Sequence, residues 1–217
     1  MHRHFDVSQL TPRECYKLLI GTVVPRPIAL VTTADEQGRP NAAPYSFFNC
    51  LSADPPILAL GVENRPDMSF KDTAQNIRMT EEFTVHIVSA EMVDAMNVCA
   101  VPFGPDVDEL LAAGLTAVPG TMVRCPRILE APVAFECKRY VTLEVGRSRE
   151  IILGHVLGVH IREDAVHPEK LHVDPAVLDA IGRMGGHAYS YTRDRFDLPT
   201  MSVQQWTDLS NTPAPKE

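Results

Sequence analysis

Three stretches of the chain combine residue types able to hold a ligand. The first runs from Asn41 to Asn49, N-A-A-P-Y-S-F-F-N, where Pro44 is followed by Tyr45, Ser46, Phe47 and Phe48. Proline removes a ladder donor and belongs at a strand edge, a bulge or a bend, so backbone N–H and C=O groups come free beside small polar and aromatic side chains. A flat heteroaromatic ring demands that combination, an apolar slot with fixed donors and acceptors along one edge. An ordinary bent strand with core phenylalanines accounts for the same residues.

The second stretch is Lys71-Asp72-Thr73 with Asn76, at the start of a short helix. Exposed N–H groups and the positive dipole end make such a start an anion site, to which Lys71 adds a charge and Thr73 a hydroxyl. A terminal phosphate fits; so does a plain N-cap at Asp72 beside a solvated lysine. The third is Gly182 to Tyr189, G-R-M-G-G-H-A-Y, read as a helix end whose paired glycines let a flat ligand approach and present His187 and Tyr189. A simple helix C-cap is the competing reading.

Familiar catalytic signatures are missing: no G-x-S-x-G, H-E-x-x-H, P-loop or G-x-G-x-x-G follows a strand. A nicotinamide bound in a Rossmann crevice is therefore disfavoured. His155 and His160 fall five apart on one expected strand, which sends them to opposite faces and argues against a shared metal. His86 reads as a satisfied core histidine, and His167 and His172 as solvated. The five cysteines are dispersed without a C-x-x-C, so buried free thiols are expected rather than disulfides or zinc.

The elements that must position these stretches are mostly strands. A helix opens at Thr11-Pro12 with Glu14 completing a capping box, and ends near Gly21. Ile28–Thr33 and Ala42–Phe48 read as a hairpin around Asp35–Gly38, followed by strands at Ile57–Val62, Phe83–Val88, Val133–Val145 and Ile151–Ile161. Helices are expected from Asp72, over Ser89–Ala100, over Asp108–Ala113 and over Asp174–Ile181. Without repeated β-α-β units this is an antiparallel barrel with peripheral helices, one domain over 1–206, with a polar, flexible tail over 207–217.

Composition narrows the partners. A net charge of −8 with no basic cluster disfavours nucleic acid and anionic membrane. The start Met1-His2-Arg3-His4 lacks a secretory core and no apolar run approaches membrane length, so a cytoplasmic protein is expected.

Taken in order, these stretches resemble the flavin-reductase-like family of FMN-binding split barrels, which includes flavoredoxin-like proteins and reductase components of two-component monooxygenases. The resemblance runs from Val24–Thr33 (V-P-R-P-I-A-L-V-T-T) through Asn41–Asn49, Asp54-Pro55-Pro56, Lys71-Asp72-Thr73 and Glu81-Glu82-Phe83. It continues through Ala131-Pro132-Val133 and ends on Gly185-Gly186 with Tyr189. It covers about Leu18 to Tyr191, and the order of the motifs is more specific than any one of them.

The resemblance implies a mainly β, Greek-key antiparallel six-stranded barrel that dimerises with each FMN near the subunit interface, FAD being an alternative flavin. Arg26, Thr32 and Thr33 would lie by the flavin. Tyr45, Ser46, Phe47, Phe48 and Asn49 would contact ring and ribityl chain. Lys71 and Thr73 would hold the phosphate with Asn76 in support, and Arg183 and Tyr189 would close over the ring or belong to the neighbouring subunit. One departure stands out: where many members carry G-D-H-x-I-x-x-G, this chain has Arg149 in the histidine's place.

The implied activity is hydride transfer from NADH or NADPH to FMN, then to free flavin, a partner monooxygenase or another acceptor. Hydride passes directly between stacked rings, so no acid–base residue is required. No catalytic side chain is nominated, and Arg149, His187 and Tyr189 are candidates for the substrate face. The alternatives are a flavoredoxin-like carrier serving an electron-transfer protein, a non-catalytic ligand-binding barrel, and an FMN-dependent enzyme acting on a small aromatic substrate.

Overall fold

The computed structural model describes residues 1–104 and 106–211. Its strands are β1 (Arg26–Pro27), β2 (Ala29–Ala34), β3 (Pro40–Tyr45), β4 (Phe48–Ala53), β5 (Pro56–Glu63), β6 (Glu82–Ile87), β7 (Ala117–Val118) and β8 (Arg127–Ile128). They continue with β9 (Val133–Val145), β10 (Arg149–Ile161), β11 (Val166–His167), β12 (His172–Val173), β13 (Ile181–Arg183) and β14 (Tyr189–Tyr191). The helices are α1 (Pro12–Thr22), α2 (Asp72–Thr80), α3 (Val93–Val98), α4 (Glu109–Ala112), α5 (Pro175–Leu178) and α6 (Val203–Asn211). None is long and apolar enough to cross a membrane.

Seven strands form an antiparallel sheet in the order β3-β2-β6-β9-β10-β5-β4. Its two edges, β3 and β4, follow one another in sequence but do not pair, so the barrel is split between them. The expected sixth-strand count becomes seven because the run Ala42–Phe48 is not one strand. It breaks at Ser46-Phe47, and Phe48 starts a new strand paired with Leu60 on β5.

The inside of the barrel is apolar. Ala29, Val31, Leu60, Phe83, Val85 and Ile152 meet there, with Ala74 and Ile77 of α2 packed against them. A second apolar layer, Ile28, Leu30, Met92, Met96, Leu110 and Ile128, lies under α3 and α4.

The edge strand β3 explains the split. Side-by-side register pairs Ala42 with Thr32 and Pro44 with Leu30 on β2. The Ala42 N–H donates to the Glu109 carboxylate (3.1 Å), so it points away from β2. Amides two residues apart point the same way along a strand, which puts the nitrogens of Pro40 and Pro44 on that open side, where neither carries a proton. The edge therefore offers no free donor for another strand.

Two buried polar groups hold the opposite face of the sheet. His86 is fully buried; its Nδ1 donates to the Leu30 carbonyl (2.9 Å) while Nε2 accepts from the Ile128 N–H (3.0 Å), which fixes the neutral tautomer. The expectation of a satisfied core histidine holds. Glu136, also fully buried, accepts the N–H groups of Thr121 (2.8 Å), Met122 and Val123 (3.1 Å), with His160 Nε2 at 2.6 Å. Burial pushes its pKa up, but these donors outweigh that and hold it below the usual glutamate range.

Several local expectations are corrected. The ladder slips between Val156 and Gly158, so His155 pairs with Lys138 and His160 with Ala134. Those partners are four residues apart, so both histidines face one side of the sheet, separated by about 13 Å at ~3.3 Å per residue. The helix from Asp174 ends after one turn because Asp179 is left-handed (φ 42°), its carboxylate gripped by Arg193. The onward residues Ile181–Arg183 instead pair with Arg26-Pro27 and with Tyr189–Tyr191, so Gly185-Gly186 sits at a hairpin tip and not at a helix end. Ser202 and Gln205 form a reciprocal cap that starts α6 at Val203, and this helix runs through Asn211 into the first residues of the expected tail. Residues 212–217 lie outside the described residues. Cys99, Cys125 and Cys137 are buried thiols, whereas Cys50 is exposed on the edge strand β4 and Cys15 is half-buried.

The His86 environment generates a pH prediction. Burial depresses its pKa from 6.5 to about 4. Between those values the unfolded chain binds a proton that the folded chain refuses, so stability falls as pH drops from about 6.5 to about 4, by roughly 3 kcal/mol. Urea unfolding at stepped pH should show this decline in the wild type and a much flatter profile over the same window in His86→Gln.

Candidate functional site

A groove of about 730 Å³ opens along the bare edge of β3, between Pro44-Tyr45, the start of α2 and the segment Cys99–Phe103. Its size is that of a typical cofactor pocket. A smaller cleft of about 210 Å³ continues past Pro44 and Tyr45 towards α1 and the β13–β14 hairpin, lined by Tyr16, Arg26, Ser46, Met96, Arg183 and Tyr189. The sequence-predicted residues Tyr45, Ser46, Lys71, Thr73, Arg26, Arg183 and Tyr189 therefore gather around one connected depression.

The polar end of the groove is built on α2. Lys71 is the N-cap of this nine-residue helix, its backbone extended, with no side-chain cap over the first-turn N–H groups. Its exposed ammonium makes no ion pair among the described residues. Arg65 stands beside it, paired with Asp72 at 2.7 Å and bonded to the Phe70 carbonyl.

Beneath lies a buried polar network. Thr73 Oγ1 donates to Asn41 Oδ1 (3.0 Å), and Asn76 Nδ2 donates to Thr33 Oγ1 (3.0 Å), itself 3.4 Å from the same Asn41 oxygen. Asn41 Nδ2 in turn donates to Glu109 (3.1 Å). This chain of bonds locks β2, β3, α2 and α4 to one another. Thr33 and Asn76 thus act behind the groove rather than in it, and the Thr73 proton is committed to Asn41.

Tyr45 adds a buried hydroxyl to this end of the groove. The residue is 7% exposed, and its buried hydroxyl makes no well-formed hydrogen bond: the Thr73 hydroxyl beside it sends its own proton to Asn41. Burial pushes its pKa up to about 12, so it stays a neutral phenol with a proton to give. A buried hydroxyl left unpaired is costly, and a polar ligand edge in the groove relieves that cost. An uncapped helix start, an unpaired lysine and an unsatisfied phenol along an apolar strand edge fit a flavin nucleotide.

Other predicted residues lie elsewhere. The Thr32 hydroxyl is on the far face of the sheet, donating to the Pro126 carbonyl (2.5 Å). Phe48 packs against the barrel core, and Asn49 is exposed on β4 with its side-chain oxygen on the Cys50 N–H (2.8 Å). Phe47 turns outward between the Tyr16 ring (6.2 Å) and the Arg149 guanidinium (4.7 Å), while Arg149 also pairs with Glu63 at 3.3 Å. Arg26 is largely committed to the main chain: its guanidinium donates to the carbonyls of Ile20 (2.7 Å), Val23 (2.7 Å) and Met184 (3.0 Å), although Nε remains buried without a partner. Arg183 stacks on the Tyr189 ring at 4.4 Å and caps the Gly186 carbonyl, and His187 is exposed at the hairpin tip.

Sequence reasoning missed Arg65 and Glu109. Asn41 opens the Asn41–Asn49 stretch, where its own role does not show. No local pattern marks Glu109, which reaches Asn41 across 68 residues; for Asn41 the signal was a polar residue between two prolines on a strand edge.

Comparison with known proteins agrees with this geometry. Residues 20–186 match the family described as flavin reductase like domain. An uncharacterized protein of Deinococcus radiodurans is 46% identical over 213 residues, covering 95% of this chain and 93% of its own. Among solved structures, the 2-nitrobenzoate 2-nitroreductase of Pseudomonas fluorescens is 36% identical with a TM-score of 0.85, over 93% of this chain and 98% of that one. Nitrilotriacetate monooxygenase component B of Bacillus cereus is 30% identical with a TM-score of 0.87, over 91% and 99%. With the split barrel, the groove on its open edge and a match spanning most of its length, this chain belongs to the flavin reductase like family and is a flavin-related oxidoreductase.

Proposed function

We propose that the groove binds FMN and that the protein is an NAD(P)H-dependent flavin reductase, working as a homodimer and supplying a partner monooxygenase or another acceptor. The observation that carries this reading is the polar end of the groove, where the buried Tyr45 hydroxyl lies beside Thr73 at the uncapped, lysine-flanked start of α2. Bound FMN would supply the chemistry, accepting a hydride from NADH or NADPH and passing the electrons on.

The chain's own residues bind, orient and exclude water. Lys71 and the first-turn N–H groups of α2 hold the terminal phosphate, Arg65 adding to the local positive potential. Tyr45, whose hydroxyl lies beside Thr73, donates to the ligand at this same polar end, and the donor-free edge of β3 gives the ring an apolar wall. Arg183 and Tyr189, stacked together, form the far wall, with His187 at the rim. Arg149 is held over Phe47 by Glu63, from where its charge faces an approaching dinucleotide phosphate. No side chain is required to move a proton, so rate depends on distance and water exclusion.

A second reading, an FMN-dependent enzyme on a small aromatic substrate, is favoured by the relative named as a 2-nitrobenzoate 2-nitroreductase. On this chain it is supported by the smaller cleft, where Arg26 and Arg183 stand among tyrosines and, among the described residues, no carboxylate lines the wall.

Three measurements test these assignments. Lys71→Ala should weaken FMN about tenfold, worth about 1.4 kcal/mol, while riboflavin binding changes less than about twofold; equal losses in fluorescence titration would remove Lys71 from the phosphate role. Tyr45→Phe should leave the melting temperature of the flavin-free protein unchanged or higher, yet weaken FMN by about tenfold, since only the bound state gains the hydrogen bond. Oxidation of NADH or NADPH by the flavin-loaded protein, followed spectrophotometrically with free flavin or 2-nitrobenzoate as acceptor, separates the functions. Turnover with free flavin supports the reductase, and turnover only with the nitroaromatic supports the second reading. No oxidation of either nicotinamide rejects the reductase and leaves an electron carrier.

A further inference from the structure

Beyond β14 the chain leaves the barrel as an arm that ends in α6. Phe196, Leu198, Met201, Val203, Trp206 and Leu209 stand along it, every one between 55% and 85% exposed. In α6 the apolar residues fall at Val203, Trp206 and Leu209, spaced by three, so they share one helix face. Six large apolar side chains in fourteen residues are far more than scattered surface hydrophobes explain.

A membrane is not the surface this arm suits. The segment VQQWTDLSN contains no lysine or arginine and one acidic residue, so it lacks the basic face that interfacial helices use against anionic lipid. The chain itself exposes a complementary apolar face. On the outer side of the β9–β10 hairpin the register sets Val141 opposite Leu153 and Leu143 opposite Ile151, with Val145 one step further. Val141, Leu143 and Val145 are between 37% and 48% exposed.

We propose that the arm of one copy docks on this hairpin face of a second copy, the exchange being reciprocal. A two-fold arrangement uses both apolar surfaces of each chain and leaves neither uncovered. The area is adequate: Phe196 and Trp206 carry roughly 150–250 Å² each, and with the four smaller apolar side chains the exposed part of the arm is on the order of 800 Å², so two arms alone reach the roughly 1,200–2,000 Å² total of a stable interface. The inference rests on the homodimer proposed above and adds the device that closes it.

Trp206 is the only tryptophan of the chain and reports directly on its own burial. The full-length protein should sediment as a dimer with blue-shifted tryptophan emission that moves to the red as dilution dissociates it. Trp206→Glu and Leu143→Glu, both at exposed positions, should each raise the dimer dissociation constant by at least about a hundredfold, with far-UV circular dichroism and flavin content as controls on folding and on cofactor binding. A photo-crosslinking residue at position 206 should capture β9 or β10 peptides from the other chain. A dimer that keeps its dissociation constant in either variant overturns the arm while leaving the homodimer standing. A monomer at every concentration overturns both, as crosslinks confined to one chain overturn the exchange. Blue-shifted emission appearing only with phosphatidylcholine–phosphatidylglycerol vesicles assigns the arm to lipid and also overturns it.

Discussion

An edge strand without a donor to offer is the constraint on which the rest of this structure depends. β3 carries Pro40 and Pro44 where its outward amides would be, and the single amide between them, at Ala42, is taken by the buried carboxylate of Glu109. A barrel whose last strand cannot accept a neighbour must stay open there. The opening is where the groove lies, and its floor is the same strand that continues into Tyr45.

Holding that edge in place requires more than the one ladder to β2. Glu109 binds Asn41 as well as Ala42, Asn41 receives Thr73 and Thr33, and Thr33 receives Asn76. The network therefore couples the groove's wall to the helix start that forms its polar end. A buried, satisfied network of this kind is rigid because losing any partner strands a polar group out of water. Rigidity suits a site whose chemistry depends on stacking distance and on water exclusion. The other face of the sheet is fastened by a parallel device, in which His86 joins β6 to Leu30 and Ile128, and Glu136 gathers the Thr121–Val123 amides.

Much of this was legible along the chain. The capping box at Thr11–Glu14, the alternation at Phe83, Val85 and Ile87, and the proline in the Asn41–Asn49 run are local signals, and each marked a real element or a real break. The reading failed where a local start signal was overruled. Asp174-Pro175 does begin a helix, but left-handed Asp179 stops it, and Ile181–Arg183 gains more by pairing with two strands than by continuing a turn. At the other end of the chain the Ser202/Gln205 cap is a local start signal for α6.

By itself the sequence determined the class of fold and the stretches that border the groove, because proline geometry, helix caps and alternating hydrophobicity are properties of neighbouring residues. Only the tertiary structure decided which members of those stretches face the groove. One residue's shift in a strand reverses a side chain, and the break at Ser46-Phe47 sent Phe47 outward, while the ladder's far face claimed Thr32. It alone also assembled Asn41, Thr73 and Glu109, and left the Tyr45 hydroxyl waiting, since such contacts depend on distances between segments that no local pattern encodes.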